Sequence, residues 1–181
     1  VLDLHTTSAH WGIFSLTSED DMSIRMAIEL HAPVIMGMLD NISGSSIHFF
    51  DGENMGISTT AIAFESGQHE DPQSVNRAIA AIINCMRTLG CVNAHEVENK
   101  HDEMLINFSK NLPKVNRLIG KYSIRNSGHF EMLPGFQSFD RVQEGQLLAH
   151  DGDEAVYCRQ DAMILMPFYQ KMGEDGFFLI V

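Results

Sequence analysis

The sequence lacks the features that mark disulfide-bonded, membrane-spanning and nucleotide-binding proteins. Its 181 residues contain three cysteines, Cys85, Cys91 and Cys158, with no CxxC pair, so we expect no disulfide framework and a reducing, cytoplasmic location. No apolar run approaches the ~20 residues of a membrane-spanning helix. Glycine-rich phosphate-binding patterns and the GxSxG pattern of α/β-hydrolases are missing too. These absences argue against nucleotide-loop chemistry and against a serine hydrolase.

Basic residues are also scarce. The chain has 12 Lys and Arg against 24 Asp and Glu, which gives a formal net charge of -12. Nucleic acids and anionic membrane surfaces bind clustered Lys and Arg, and the sequence contains no such cluster. We therefore expect neither a nucleic-acid nor a membrane partner. The 44% of hydrophobic residues is typical of a folded globular chain.

The pattern of elements changes near residue 113. Residues 1–113 alternate strand-like and helix-like segments, whereas residues 114–181 consist of short strand-like segments and turns. This pattern predicts an α/β part with flanking helices, followed by a small all-β domain. Residues 1–4 read as a buried strand. Because domains rarely open in mid-strand, we expect the α/β part to be N-terminally incomplete.

Three elements of the α/β part have clear signals. A helix is predicted over 72–89, with Asp71 as its N-cap and Gly90 as its stop. Its apolar residues form one stripe of the kind that faces a core: Val75, Ala78, Ile79, Ile82, Ile83, Met86 and Leu89. A second helix is predicted from Ser18 to about His31. Residues 59–64 are β-rich and uniformly apolar after Thr60, which predicts a central strand that is buried on both faces.

His5 is the first candidate for chemistry. It follows the apolar start of the chain in the string Asp3-Leu4-His5-Thr6-Thr7, where a strand is expected to give way to a polar loop. Ligands gather outside the carboxyl ends of strands in open α/β sheets. A neutral imidazole there can bind a metal, and Asp3 could orient the ring. The alternative is an ordinary histidine at a strand end.

Glu65 is the second candidate. It directly follows the predicted strand 59–64. An unpaired buried charge is costly, so a carboxylate there must be solvated, paired with another group or used in the chemistry of a site. Beside a metal-bound water it could act as a general base. The alternative is an acidic residue at the lip of the sheet. Gly67 would let the backbone approach a ligand, and His69 is more ambiguous than the other scattered histidines because it neighbours Glu65.

A possible metal-ligand pair lies further along the chain. His95 and Glu98 form an HxxE string, and residues three apart on a helix share a face. However, the string follows the Gly90 helix stop in a polar stretch. We do not expect a metal site there.

Taken together, Asp3-Leu4-His5-Thr6-Thr7 and Phe64-Glu65-Ser66-Gly67-Gln68 resemble the succinylglutamate desuccinylase/aspartoacylase family, which is related to the carboxypeptidase-A-type zinc peptidases. The resemblance implies a carboxypeptidase-like mixed sheet followed by a small β domain. It implies that His5 is a zinc ligand and Glu65 the catalytic base and acid. In that family an HxxE pair supplies the other ligands upstream of the DLH strand, so we expect them upstream of Val1.

The activity that this resemblance implies is hydrolysis of the amide bond of an N-acyl amino acid. One zinc ion would polarise the carbonyl and lower the pKa of its bound water from 15.7 towards ~7. A carboxypeptidase-like zinc peptidase and a non-catalytic binding protein on a decayed hydrolase fold are the alternatives. The 181-residue chain alone is expected to bind zinc weakly, to be inactive and to self-associate, since apolar surface would be exposed.

Overall fold

The computed structural model describes residues 1–39, 45–50, 52–126, 128–169 and 174–181. The chain divides into two compact units that are interleaved along the sequence. The first unit comprises Val1–Thr6 and Ile13–Arg117, and the second comprises Thr7–Gly12 and Leu118–Val181.

The first unit is a mixed α/β structure. Its strands are β1 (Leu2–Thr7), β2 (Ile13–Thr17), β3 (Val34–Met36), β4 (Ile62–Gln68) and the start of β5 (Val115–Ser123), and its helices are α1 (Asp21–Ile28), α2 (Ser46–Phe49), α3 (Gly52–Met55), α4 (Gln73–Thr88) and α5 (Asp102–Ser109). The sheet order is β1-β4-β2-β3-β5. β2 runs antiparallel to β4 and parallel to β3, and β3 runs parallel to β5. The predicted α/β class with a mixed sheet is confirmed.

The predicted central strand lies three residues further along than expected. β4 spans Ile62–Gln68 rather than 59–64. It lies between β1 and β2, and Ile62, Ala63 and Phe64 are buried. Ser66 and Gly67 are also buried, since both are small enough to continue a strand covered on both faces. Glu65 therefore stands inside the strand and not at its end.

The two predicted helices form, each within narrower bounds. α1 begins after Asp20, whose carboxylate accepts a hydrogen bond from the Ser23 amide at 2.9 Å. α4 begins at Gln73, and the Asp71 carboxylate accepts from the Gln73 amide at 2.9 Å. Gly90 follows α4 with a φ of 70°, as expected of a helix stop.

The apolar stripe of α4 does not face the core, which corrects the sequence prediction. The buried residues of this helix are small or polar: Ser74, Ala80, Ala81 and Asn84. Five of the seven predicted core residues are exposed: Val75, Ile79, Ile82, Met86 and Leu89. Two alanines in succession let the helix lie close to the sheet. The core is completed by large residues of other elements, including Leu30, Phe64 and Leu105.

The second unit contains the rest of β5 and six further strands. They are β6 (Phe130–Met132), β7 (Arg141–Val142), β8 (Leu147–Asp151), β9 (Glu154–Tyr157), β10 (Ala162–Leu165) and β11 (Asp175–Ile180). They pair in the orders β5-β11-β10-β7 and β6-β8-β9, all antiparallel. Among its described residues the regular elements are all strands. The separate small β domain over 114–181 stays a prediction.

A buried aspartate closes one turn of the second unit. Asp151 is fully buried and accepts hydrogen bonds from the Tyr122 hydroxyl at 2.8 Å, the Arg125 amide at 2.8 Å and the Asn126 amide at 3.0 Å. Burial alone would raise the pKa of this carboxyl, but the hydrogen bonds outweigh burial and lower it. Such a buried charge is tolerated because it is fully hydrogen-bonded.

The described helices were compared with the length and apolarity of a membrane-spanning helix. Within the described ranges, none combines the length and the apolarity needed to cross a bilayer.

Candidate functional site

Strands β1 and β4 bring the two candidate residues side by side. The two strands are neighbours in the sheet. At one end the Ile62 amide donates to the Val1 carbonyl at 3.0 Å, and further along the Ser66 hydroxyl donates to the His5 carbonyl at 2.9 Å. The strands therefore run in the same direction, with His5 beside the Glu65–Ser66 segment. Both candidates lie within neighbouring strands, and not at strand ends as the sequence predicted.

β1 is an edge strand, so His5 is more accessible than predicted. Leu4, His5 and Thr6 are exposed and Leu2 is half-buried. Among the strands that the structure describes, β4 is the one neighbour of β1. The prediction of a strand buried from its first residue is wrong. The His5 side chain is 49% exposed, which leaves its ring open to a ligand from solvent.

A carboxylate orients the His5 ring. Asp3 and His5 are two residues apart on one strand and so share a face, and their Oδ2 and Nε2 atoms lie 2.8 Å apart. The Ser46 hydroxyl, from the start of α2, donates to the same Asp3 oxygen. Because Nε2 is engaged with Asp3, Nδ1 is the nitrogen of His5 left for a metal or a proton. The Asp3–His5 contact that the sequence suggested is present.

The Asp3–His5 contact also shifts both pKa values. The hydrogen bond to Asp3 is the largest effect on the pKa of His5 and raises it. Burial would raise the pKa of Asp3, but hydrogen bonds from Ser46 and His5 outweigh burial, so the pKa of Asp3 is lowered. The pair is therefore held as carboxylate and imidazolium over a wider pH range than isolated side chains would be.

Glu65 is half-buried, and one of its carboxylate oxygens is fully buried. Among the residues that the structure describes, its Oε2 atom has neither solvent exposure nor a partner. Burial raises the pKa of Glu65 to about 7, and the neighbouring charges of His5 and Asp3 lower and raise it, respectively. The carboxyl therefore gains and loses a proton readily near neutral pH, which is what a general base and acid requires.

The end of strand β4, after Glu65, is held by an arginine of α4. Gly67 has a φ of 115°, and the Arg77 guanidinium lies where its side chain would be. Nη1 of Arg77 donates to the Ser66 carbonyl at 3.2 Å and to Asp71 Oδ2 at 2.7 Å. The space beside Gly67 is thus occupied by Arg77, and this glycine does not open the backbone to a ligand as the sequence suggested.

We expect Gly67→Ala to lower the stability of the protein by about 1–3 kcal/mol. An added Cβ would lie 2.5 Å from Nη1 of Arg77, and the φ of 115° is unfavourable for alanine. Gly56→Ala is the matched control, since Gly56 also has a positive φ of 66° but no atom within 4 Å of an added Cβ. Thermal unfolding of both variants measures the difference. Equal losses would show that Arg77 does not matter here.

We find no complete metal site among the residues that the structure describes. They contain no group of three or more His, Cys, Asp or Glu side chains that could hold a metal ion. His95 and Glu98 are exposed in the turns between α4 and α5, so they do not share a helix face. Nδ1 of His69 is hydrogen-bonded to the Thr6 hydroxyl at 2.8 Å.

Two residues of the site had no sequence signal. Ser46 lies 43 positions from Asp3, and Arg77 was one more polar residue in an amphipathic helix. Long-range hydrogen bonds of this kind follow from the fold and not from local patterns.

Comparisons with known proteins identify the fold. The sequence matches no family model and no curated protein. The structure is similar to a succinylglutamate desuccinylase from Vibrio cholerae (TM-score 0.61, 14% identity) and to a succinylglutamate desuccinylase/aspartoacylase from Rhodobacter sphaeroides (TM-score 0.65, 14% identity). Each match covers 99% of this chain. The chain has the succinylglutamate desuccinylase/aspartoacylase fold.

The chain spans about half the length of these structures. It covers 52% of the Vibrio cholerae chain and 57% of the Rhodobacter sphaeroides chain. The structure is also similar to the product-bound ectoine utilization protein EutE (DoeB) from Ruegeria pomeroyi, with a TM-score of 0.62 and 16% identity. That match covers 99% of this chain and 56% of the EutE chain. At these identities the succinylglutamate desuccinylase/aspartoacylase likeness concerns the fold. The resemblance predicted from two short motifs is confirmed at that level.

Proposed function

We propose that this chain is part of a hydrolase that cleaves the amide bond of an N-acyl amino acid or a similar small amide. The observation that supports it is the Glu65 carboxyl, which is half-buried, unpartnered at its buried Oε2 and raised in pKa to about 7. The names of the structural relatives, desuccinylase and aspartoacylase, point to the same reaction class. That likeness is a reason for the proposal and not a demonstration of activity.

In the proposed reaction Glu65 handles the proton. Its carboxylate takes a proton from the attacking water and, as the acid, gives it to the departing nitrogen, so one group serves both halves of the hydrolysis. Withdrawal from solvent keeps the carboxyl protonated often enough to act as the acid near pH 7. The nearby charge of His5 keeps it ionised often enough to act as the base.

We also propose His5 as one ligand of a zinc ion, through Nδ1. Asp3 on the opposite ring nitrogen fixes the ring, as carboxylates commonly do for metal-bound histidines. Catalytic zinc takes three protein ligands, so the remaining ligands would have to come from outside the described residues. We expect hydrolysis of the amide only in a protein that has all three zinc ligands.

We expect the 181-residue chain by itself to bind zinc weakly, and His5→Ala to abolish most of what binding there is. One imidazole competes poorly with water and buffer for the ion. Isothermal titration with zinc measures the affinity, and His95→Ala is the matched control, since His95 is exposed in a turn. Tight one-to-one zinc binding that survives His5→Ala would show that the metal site lies elsewhere.

A substrate panel tests the proposed reaction class. N-acyl amino acids and short peptides are offered to the same zinc-loaded preparation, and release of free amino groups is measured. Cleavage of the acyl amino acids supports the proposal, and cleavage of peptides alone would favour a carboxypeptidase-like enzyme. Absence of both activities in a preparation with stoichiometric zinc would favour a binding protein.

Two further proposals concern the rest of the molecule. We propose that residues 114–181 act as the small β domain that accompanies this fold. We also propose a reducing, cytoplasmic location, because Cys85, Cys91 and Cys158 are all free thiols.

A further inference from the structure

The Ser46 hydroxyl reaches the residue that holds the His5 ring. Ser46 is the first residue of α2, and its hydroxyl donates to Oδ2 of Asp3. Nε2 of His5 lies 2.8 Å from the same Asp3 oxygen. A serine 43 positions away from Asp3 and a histidine of the same strand therefore share one carboxylate oxygen. The contact is partly screened from water, since Ser46 and Asp3 are both half-buried.

Two donors on one oxygen restrict a carboxylate more than one donor does. The terminal torsion of an aspartate is broad and roughly twofold, so a single donor could be served by either oxygen. Each carboxylate oxygen has two lone pairs and can accept from two donors at once. With Ser46 on one lone pair of Oδ2 and His5 on the other, the carboxylate plane is fixed from two directions. The direction of the His5 ring thus depends on a residue of another element.

Helix α2 is anchored so that this hydroxyl has a fixed place. Four residues make too short a helix to be stable on their own, and α2 spans only Ser46–Phe49. The Ser45 hydroxyl accepts from the Ile47 amide at 3.2 Å, and the Ile47 side chain is buried. Nε2 of His48 donates to the Leu39 carbonyl at 2.9 Å, which ties the helix to the segment after β3. These contacts hold the hydroxyl beside β1.

We propose that Ser46 is a positioning residue of this site: through Asp3 it keeps Nε2 of His5 on the carboxylate and leaves Nδ1 free for a ligand. A ring that is ordered in advance binds its ligand at a lower entropic cost. Partners of metal-bound histidines typically contribute about 10–100-fold to metal affinity. Ser46 is one contact further from the metal, so we expect it to contribute about three- to tenfold. The role of Ser46 rests on the proposed function only where the ligand is taken to be zinc, because the ring can be studied without metal.

Nuclear magnetic resonance of the ring nitrogens in the metal-free 181-residue chain tests this role. The His5 signals are those missing in His5→Ala. At an alkaline pH that leaves imidazole neutral, we expect a protonated Nε2 whose N–H signal is protected from exchange with water, and an unprotonated Nδ1. In Ser46→Ala we expect the N–H signal to be lost by exchange and the nitrogen shifts to move towards those of an unstructured histidine. Ser58→Ala is the matched control, because Ser58 is exposed in the same unit, and it should change neither signal.

A double substitution distinguishes positioning from general packing. If Ser46 acts through Asp3, then Ser46→Ala should have no further effect on the His5 signals in an Asp3→Asn background. Ser46→Thr, which keeps the hydroxyl, should retain the wild-type signals. Ser46→Cys keeps nearly the size of serine but has only a weak donor, so it provides the comparison with wild type if Ser46→Ala does not fold. Circular dichroism and thermal unfolding establish that each variant is folded.

Zinc titration followed at the same His5 signals extends the test to the metal. We expect Ser46→Ala to weaken zinc binding about three- to tenfold and Ser46→Thr to leave it unchanged. A wild-type chain whose His5 signals do not respond to zinc would refute His5 as a zinc ligand, and the metal-free signals would still decide the role of Ser46. His5 signals that are unchanged in Ser46→Ala, or that change equally in the wild-type and Asp3→Asn backgrounds, would overturn the proposal.

Discussion

Replacing Glu65 by glutamine should lower the turnover of an N-acyl amino acid by at least about 100-fold in a preparation of the protein that is active. Glutamine has nearly the same size and keeps the strand intact, but it can neither accept the proton of water nor return one to nitrogen. The wild-type rate should rise with pH through about 7, since the pKa of Glu65 is raised to about 7 and the ionised form is the base. That rise should vanish in the variant.

Steady-state rates of both proteins from pH 5 to 9 provide the measurement. Glu70→Gln is the matched control, because Glu70 is an exposed carboxylate in the turn that follows the same strand, and its replacement should leave the rate within a factor of about 3. Zinc content is measured on each sample, so that loss of the metal is distinguished from loss of the base. A Glu65→Gln protein with zinc bound and an unchanged rate would refute the assignment of Glu65.

The same substitution should make the protein more stable above neutral pH, by up to about 3 kcal/mol. Burial raises the pKa of Glu65 from 4.5 to about 7, so the folded state holds this proton more tightly than the unfolded chain does. Below about pH 4.5 Glu65 is protonated in both the folded and the unfolded state, so its ionisation does not lower the free energy of unfolding. Between pH 4.5 and 7 its contribution to stability falls as pH rises, and above pH 7 the full penalty of a buried carboxylate remains.

Urea unfolding of wild type and Glu65→Gln at pH 5, 6, 7 and 8 gives the difference in free energy of unfolding. The difference should be small at pH 5 and largest at pH 8. Glu70→Gln, which replaces an exposed carboxylate, should show no such trend. A Glu65→Gln variant that is less stable than wild type at pH 8 would mean that the carboxylate has a stabilising partner. Gain of stability with loss of activity is the expected signature of a strained functional group.

Much of the fold could be predicted from the sequence, and the two candidate residues lie on neighbouring strands of it. The run from Ile62 to Phe64 has no polar alternation and became the buried strand β4. Gly90 gave the end of α4 because a residue that adopts positive φ easily is a strong helix stop. His5 and Glu65 were chosen as candidates because each is a polar, titratable residue next to apolar strand residues, where an unpaired charge is costly.

The remaining features depend on distant parts of the chain. His5 is exposed and β1 lies at the edge of the described sheet. The position of a strand in the sheet order cannot be predicted from the residues around it. The helix α4 was assigned the wrong inner face, because hydrophobicity was taken to mean burial. Close packing against a sheet favoured Ala80 and Ala81 instead, since only small side chains allow the helix to approach. Ser46, which donates to Asp3, likewise comes from an element 43 positions away in sequence.

The interleaving of the two units limits how this chain can be divided. Thr7–Gly12 belongs to the second unit, yet it stands between two parts of the first. A protease cut or a gene truncation after Arg117 would therefore leave each fragment mismatched: one would keep a stray piece of the other unit, and the other would lack it. No single cut yields two complete units.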